Sequence, residues 1–371
     1  SGRLAKFRDL LAIDSTVVRL HELLAKPFPG CRTNHSKAAA KLHMVMSVVD
    51  GSAKRVKLTG ERTPDVAPWR RVGKWVQGRL LLFDLGYYRF HLFDRIEANG
   101  GYFLTRAKTT FNPVIVATNR KWRGASIDVV GRKLRDVLPR LQREHLDVMV
   151  KVSFKARVYN GRHKTRTRTF RLVAVRNAEA GHYHCYLTNV PADDLPATDI
   201  RDTYALRWQV ELLFKAMKSQ GHLHQLPSRN RQVVECLVWA SVLATVVSHA
   251  LHQLARERCR TDRHLPLLRW AGLFARNAER VLRIVLGDRR DDATLLDHLL
   301  REAPDPNRNR KGRAVGDLAV GLMAQVITHV LAHAGFRPAP RRRTAPSEPR
   351  ARRAPPAPAP PPPIHAAPVP A

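Results

Sequence analysis

The stretch "RLLLFDLGYYRFHLFDRIEANGGYFLTRAK", Arg79–Lys108, decides the fold. It opens on an apolar run that stops at Asp84, the pattern of a strand buried on both faces near the centre of a sheet. "YYRFHLFDRIEANGG" then has the spacing of a helix. Asn99-Gly100-Gly101 ends it, because Gly and Asn accept the left-handed backbone at a helix C-terminus. "GYFLTRAK" is a second strand. A strand, a helix and a strand in succession predict an α/β core.

Working upstream, "LLAIDSTVVRL" reads as a strand with Asp14 set into it. "KLHMVMSVVDGSAKRVKLTG" reads as a hairpin, with Leu42, Met44, Met46 and Val48 alternating and Asp50-Gly51 as the turn. Downstream, the pattern changes between about Lys108 and Pro196. A short helical piece, "RKLRDVLPRLQREH", precedes a strand whose even positions from Val148 to Val158 are all apolar. Asn160-Gly161 turns it back into "TFRLVAVRN". Between Lys151 and Arg171 there are eight Lys or Arg and no acid. Such a ribbon suits contact with a phosphate backbone, and a solvated hairpin face explains it equally well.

Residues from Asp199 to about Gly335 carry helical spacing. Helices are expected over Thr203–Ser219, Val233–Arg256, Leu265–Phe274, Val281–Leu286 and Val315–Ala334. The apolar "CLVWASVLATVVSHAL" from Cys236 is shorter than the ~20 residues a membrane span needs, so a buried helix is expected and no membrane. Thirteen of the 25 prolines lie from Pro338 onward, where a Pro/Ala/Arg tail is expected to be disordered. The division is therefore 1–107, the first part of the core; 108–198, a β-rich insertion; 199–335, the rest of the core with C-terminal helices; and 336–371, the tail.

Composition narrows the function. The chain has 371 residues, 44% of them hydrophobic, with 65 Lys and Arg against 31 Asp and Glu, a net charge of +34. That field attracts polyanions, nucleic acid first and an anionic membrane second. Cys31, Cys185, Cys236 and Cys259 lie too far apart for a zinc knuckle or redox pair and read as reduced thiols of a cytoplasmic protein. No signal peptide is visible. There is no phosphate-binding loop or dinucleotide fingerprint, so no nucleotide cofactor is expected. His182, His184 and Cys185, and likewise His222 and His224, have alternate spacing that would set each His pair on one side of a strand, without a fourth zinc ligand at a known spacing. Trp208 is expected to pack against the sheet. Lys37 and Lys41 are candidates for a place near DNA or for a solvated edge.

The chemistry gathers on "TYALRWQVELLFKAMKSQ", Thr203–Gln220. As a helix it buries Leu206, Val210, Leu213, Phe214 and Met217. Tyr204, Arg207, Glu211 and Lys218 then share a stripe beside that face. An acid at a core edge invites either pairing with Arg207 or metal coordination. Asp14 and Asp84, each following a buried apolar run, are the further carboxylates that coordination would need. A buried carboxylate is costly unless it is paired or bound to a cation, and hard cations take such oxygen ligands.

These residues resemble the signature of the DDE-type transposases of the insertion-sequence-four family: Tyr, two residues, Arg, three residues, Glu, six residues, Lys. Here it stands as Tyr204, Arg207, Glu211 and Lys218. "IDSTVVRL" and Phe83–Lys108 resemble the family's two Asp motifs. The resemblance spans roughly Leu11 to His224, plus the apolar helix after it. It implies a ribonuclease-H-like mixed sheet with a β-strand insertion before the catalytic Glu helix. It implies that Asp14, Asp84 and Glu211 hold two Mg²⁺ (or Mn²⁺) ions for in-line phosphodiester cleavage and strand transfer. Arg207 and Lys218 would grip phosphates, and Tyr204 would bond a phosphate or pack near the cleaved end. Trp122 and Tyr159 would be candidates to receive a flipped base, against the alternative that both are structural aromatics packed in or near the core. The implied partners are double-stranded DNA, as transposon ends and target, and a second copy as a homodimer on DNA near the nucleoid. Asp14 stands almost at the start, so the family's N-terminal DNA-binding domain is expected to be missing. A nonspecific metal-dependent nuclease, or a catalytically silent DNA-binding remnant, would share much of this pattern.

Overall fold

The computed structural model describes residues 2–31, 36–119, 128–155, 165–177, 179, 181–224, 226–258 and 265–285, with 295, 298, 299, 301 and 302. The tail, the Val315–Ala334 segment, Trp122, Tyr159, Cys259 and the Asn160-Gly161 turn lie outside the described residues.

The first hairpin and the two apolar runs form one half of a sheet. Strand β1 is Asp9–Arg19, β2 Ala39–Ser47 and β3 Ala53–Gly60. Strand β4 is Arg79–Phe83, helix α1 Phe90–Ala98 and strand β5 Tyr102–Arg106. Strands β1, β4 and β5 run parallel to one another, and β2 and β3 are antiparallel additions on the far side of β1. The Asp50-Gly51 turn is as expected, with Gly51 at φ +67°.

The second half comes from β6 Val114–Thr118, the one-turn helix α2 Leu134–Val137, β7 His145–Lys155, β8 Thr165–Asn177 and β9 His182–Thr188. These strands join the same sheet, and the order is β3-β2-β1-β4-β5-β9-β8-β7-β6. In the ladder the two halves are joined at three residue pairs, Leu104↔Thr188, Thr105↔Leu187 and Arg106↔Tyr186, and the Ala107 N–H donates to the Cys185 carbonyl at 2.8 Å just beyond them. Side chains lengthen this seam. Asn189 accepts from the Phe103 N–H at 2.9 Å and donates to the Gly101 carbonyl at 3.0 Å, and Thr188 donates to the Phe103 carbonyl at 2.5 Å.

Both faces of the sheet are covered, which is why its central strands are apolar throughout. On one face, Leu10, Ala12, Leu80, Leu82 and Leu104 pack against helices α3 Ile200–Ala205, α4 Trp208–Ser219 and α5 Arg231–Arg258. On the other, Leu11, Ile13, Leu81, Phe83 and Phe103 pack against Leu92, Phe93 and Ile96 of α1. Helices α6 Leu267–Arg276 and α7 Ala278–Val285 close a smaller cluster around Trp270.

Four expectations are corrected. The Thr203–Ser219 segment is two helices, α3 and α4, joined at Leu206-Arg207 by i→i−3 hydrogen bonds such as Arg207 N–H to Tyr204 O at 3.0 Å. Trp208 does not pack on the sheet; it is 56% exposed. His222 and His224 lie in the turn after α4, with His222 at φ +48°, and not on a strand. The apolar helix α5 is longer than expected, and only 28% of its span-length stretch Arg231–Gln253 is buried. By length and composition that stretch could cross a membrane. In the fold, Val234, Val238 and Val242 enter the sheet-facing core, and His249 meets the Gly51 carbonyl at 2.7 Å.

Candidate active site

Parallel pairing sets the two aspartates. Ile13 of β1 lies opposite Phe83 of β4, so Asp14 and Asp84 each stand one residue past that pair. Neighbouring strands lie ~4.8 Å apart, which brings the two carboxylates within electrostatic reach, and Asp84 raises the proton affinity of Asp14. Helix α4 crosses the same face. Its buried residues Val210, Leu213 and Met217 fix its rotation and leave Glu211 at the edge facing β1.

Arg207 joins these groups. Its guanidinium donates to Glu211 Oε1 at 2.6 Å and lies 3.5 Å from Asp14 Oδ2. It also stands 5.8 Å from the centre of the Tyr204 ring, which is buried against Tyr186. Burial pulls the Arg207 pKa down, but the Glu211 hydrogen bond, Tyr204 and Asp14 more than offset it. Asp14 shows the opposite balance. Burial pushes its carboxyl up to about 6, against the Ser15 N–H at 2.8 Å and Arg207, with Asp84 and Glu211 pushing the same way as burial.

A cleft of about 530 Å³ opens beside this group, lined by Asp14, Ser15, Thr16, Glu211, Lys218 and His224 among others. Burial lowers the Lys218 pKa and Arg19 lowers it further. The structure thus brings Asp14, Glu211 and Lys218 to one cleft, with Arg207 behind them. Asp84 is the neighbour of Asp14 but does not line the cleft. Tyr204 is 9% exposed and turned into the core.

Sequence reasoning missed a second layer on the other side of β1. The Ser15 hydroxyl donates to Asp65 at 2.7 Å, and Lys41 donates to Asp65 at 3.1 Å and to the Thr63 carbonyl at 3.0 Å. Lys41 is therefore a half-buried strut held by two partners, and not a solvated edge lysine. Burial raises Asp65, and the Ser15 and Lys41 hydrogen bonds bring it below the ordinary value. Asp65 sits in a loop with no periodicity, so nothing in the sequence marked it.

Among the described residues, no three His, Cys, Asp or Glu side chains converge as a ready metal cluster. The donor chemistry nevertheless suits a hard cation: three carboxylates, one of them desolvated enough to hold a proton up to about pH 6. His182 and His184 do pair, with Nε2 atoms 3.1 Å apart. Cys185 points to the other face, and burial raises its thiol to about 11.

The family described as transposase DDE domain matches residues 5–247, which include all three carboxylates. The chain belongs to that family. It is 22% identical over 273 residues to the transposase for insertion sequence element IS231E of Bacillus thuringiensis subsp. finitimus, covering 66% of this chain and 56% of that protein. It is also 22% identical over 272 residues to the transposase for IS1151 of Clostridium perfringens, covering 66% and 57%. The chain thus spans little more than half the length of these relatives. Among solved structures, a piggyBac transposase synaptic complex with hairpin DNA aligns over 82% of this chain and 60% of its own, at 12% identity and a TM-score of 0.43.

Proposed function

We propose that this chain is the catalytic part of a DNA transposase that cleaves transposon ends and transfers the strand into target DNA. The observation that supports it best is the cleft where Asp14, Glu211 and Lys218 meet beside Asp84, in a member of the transposase DDE domain family. The five-strand half, with β1 and β4 each delivering an aspartate and α4 delivering the glutamate across them, supports the ribonuclease-H-like reading. In this proposal a β-rich insertion at 108–198 interrupts the core, which 199–335 completes.

Asp14, Asp84 and Glu211 would hold Mg²⁺ or Mn²⁺, two ions in this reading, which when bound would activate the attacking oxygen and neutralise charge on the phosphate. Lys218, at the cleft wall, offers a point charge to the scissile strand. Arg207 orients Glu211 through its hydrogen bond and tempers the mutual repulsion of Glu211 and Asp14. Its planar fork could turn to a phosphate only by releasing one of them. Tyr204 holds the Arg207 side chain against the core, so its part is to position. Double-stranded DNA is the substrate, a homodimer the working assembly, and the nucleoid the place of action.

Incubation of supercoiled DNA with wild type and Glu211→Ala, with and without Mg²⁺ or Mn²⁺, tests this. Metal-dependent nicking by wild type alone, followed by joining of a cut end to a target, is the expected outcome. Nicking without joining would leave a nuclease. Binding without nicking by either protein would leave a silent remnant.

A further inference from the structure

A second cleft, of about 520 Å³, opens on the opposite face of the sheet. Helix α1 forms one wall with Asp94 and Arg95, preceded by Arg89. The loop before β4 contributes Arg70. The facing ends of β7 and β8 contribute Lys155 and Arg166. Its lining residues share none with the carboxylate cleft. Because α1 packs on one face and α4 on the other, the two clefts are separated by the thickness of the sheet.

The charge at this cleft is unbalanced. Five cations, Arg70, Arg89, Arg95, Lys155 and Arg166, line it beside one acid, Asp94. Asp94 is 5% exposed and already committed. It accepts from Arg166 at 2.8 Å and from Arg168 as well, tying α1 to β8. Arg95 donates to the Arg70 carbonyl and Arg89 to the Tyr88 carbonyl at 3.0 Å. Carbonyls position a guanidinium without cancelling its charge. The cleft is therefore largely preassembled: Arg89 and Arg95 are held by backbone carbonyls and Arg166 by one buried acid, and most of the charge is left over. Phe154 lies among them with its ring 6.0 Å from that of Phe90, which stiffens the wall.

We propose that this cleft is a second nucleic-acid site, which takes the phosphodiester backbone of DNA on the face of the sheet away from the carboxylates. A lone phosphate neutralises too little of such a cluster. A strand supplies one charge per ~3.4 Å, so successive phosphates can meet cations coming from three separate elements. The contact is chiefly to the backbone, since the charged groups facing the cleft are mostly long cations suited to phosphate oxygens. This inference rests on the reading that the chain works on DNA, and it gives that reading a geometry: one segment of duplex at the carboxylates, another held across the sheet.

The test is the salt dependence of duplex binding in the absence of divalent ions. Arg70, Arg89 and Lys155 are changed together to Gln, leaving Asp94, Arg95 and Arg166 intact to hold the walls. The slope of log K against log salt should become shallower by about 0.9 for each phosphate no longer neutralised, about 2 to 3 in all. Each single substitution should take about a third of that, which keeps the test valid if the triple variant folds poorly. A control triple, Arg231, Arg269 and Arg283 to Gln on α5, α6 and α7, removes the same charge elsewhere and should change the slope by less than one. An unchanged slope in the cleft variants, or an equal change in the control, overturns the proposal. Nicking by Glu211→Ala and wild type is scored separately, so a shallower slope without any nicking would keep the cleft and remove the transposase reading.

Discussion

The Arg207 guanidinium donates to Glu211 at 2.6 Å, one turn along the helical segment, and leans toward Asp14 from the same position. A single cation thus balances two carboxylates that the fold forces together. Both acids are mostly sheltered, with side-chain exposures of 32% for Glu211 and 21% for Asp14.

Replacing Arg207 by Met keeps the stem and removes the charge. Stability at pH 7 should fall by roughly 1–3 kcal/mol, the usual cost of stranding a sheltered polar group. Urea unfolding measures it. Added Mg²⁺ should stabilise both proteins and in the variant return part of the loss, because a divalent cation bound only by the folded state stabilises it.

Asp14 predicts an unusual pH profile. Its folded pKa is raised to about 6 from 3.8, so between those values the folded state holds the extra proton. Stability from this group is therefore present at low pH and lost as pH rises through that window, by about 3 kcal/mol. His43 works against it. Burial lowers its pKa from 6.5 to about 4, so its contribution is present above 6.5 and lost as pH falls toward 4. In wild type the two nearly cancel. Asp14→Asn removes the first, so the variant should be more stable than wild type at pH 7 and should lose stability steadily from pH 6.5 to 4. Urea midpoints across that range check it. The same variant should not nick DNA.

Arg171 is 2% exposed at the middle of β8. It forks onto Asp147 at 2.6 and 2.9 Å and donates to the carbonyls of Val190 and Leu195 at 3.1 and 2.7 Å. Arg171→Leu leaves the Asp147 charge stranded and should cost about 3–5 kcal/mol. Adding Asp147→Leu should recover a large part of that, and a double-mutant cycle in urea reads the coupling.

Gly51→Ala should also destabilise. Gly51 has φ +67°, and a Cβ there would stand 2.5 Å from His249 Nδ1. A left-handed non-glycine residue costs of order 1–3 kcal/mol, and the clash would push α5 off the β2–β3 turn. A fall in the thermal midpoint with loss of protection around His249 would show both.

The α/β half of the molecule was legible because each signal there is local. Apolar runs marked β1 and β4, Asn99-Gly100-Gly101 marked the end of α1, and alternation from Val148 marked β7. The stripe of buried residues from Leu206 to Met217 was legible for the same reason. The break at Leu206-Arg207 was not, since both residues keep right-handed helical angles and only the hydrogen-bond partners shift. Arg171 sat unnoticed in a row of exposed basic residues, because its burial follows from β8 passing under the Val190–Leu195 loop. Trp208 looked like a core residue by type and proved to be a surface one by phase. Asp14, Asp84 and Glu211 could be picked out as candidates from sequence, and so could a pairing of Arg207 with Glu211, but not that the same arginine would also reach Asp14.

The seam between β5 and β9 has a consequence for alignment across the molecule. Three residue pairs join there, where β1 and β2 share nine and β7 and β8 share eleven. Asp14 and Asp84 belong to strands on one side of it. Glu211 belongs to a helix that the chain reaches only after passing through all of the strands on the other side. Asn189 and Thr188 stitch this join with their side chains, so they help hold the half that leads into α3 and α4 against the half that carries the aspartates. A slip of one residue at that short ladder would set the chain entering α3 and α4 against the packing of α4 on β1, and strain would reach the candidate site without any change to its own residues.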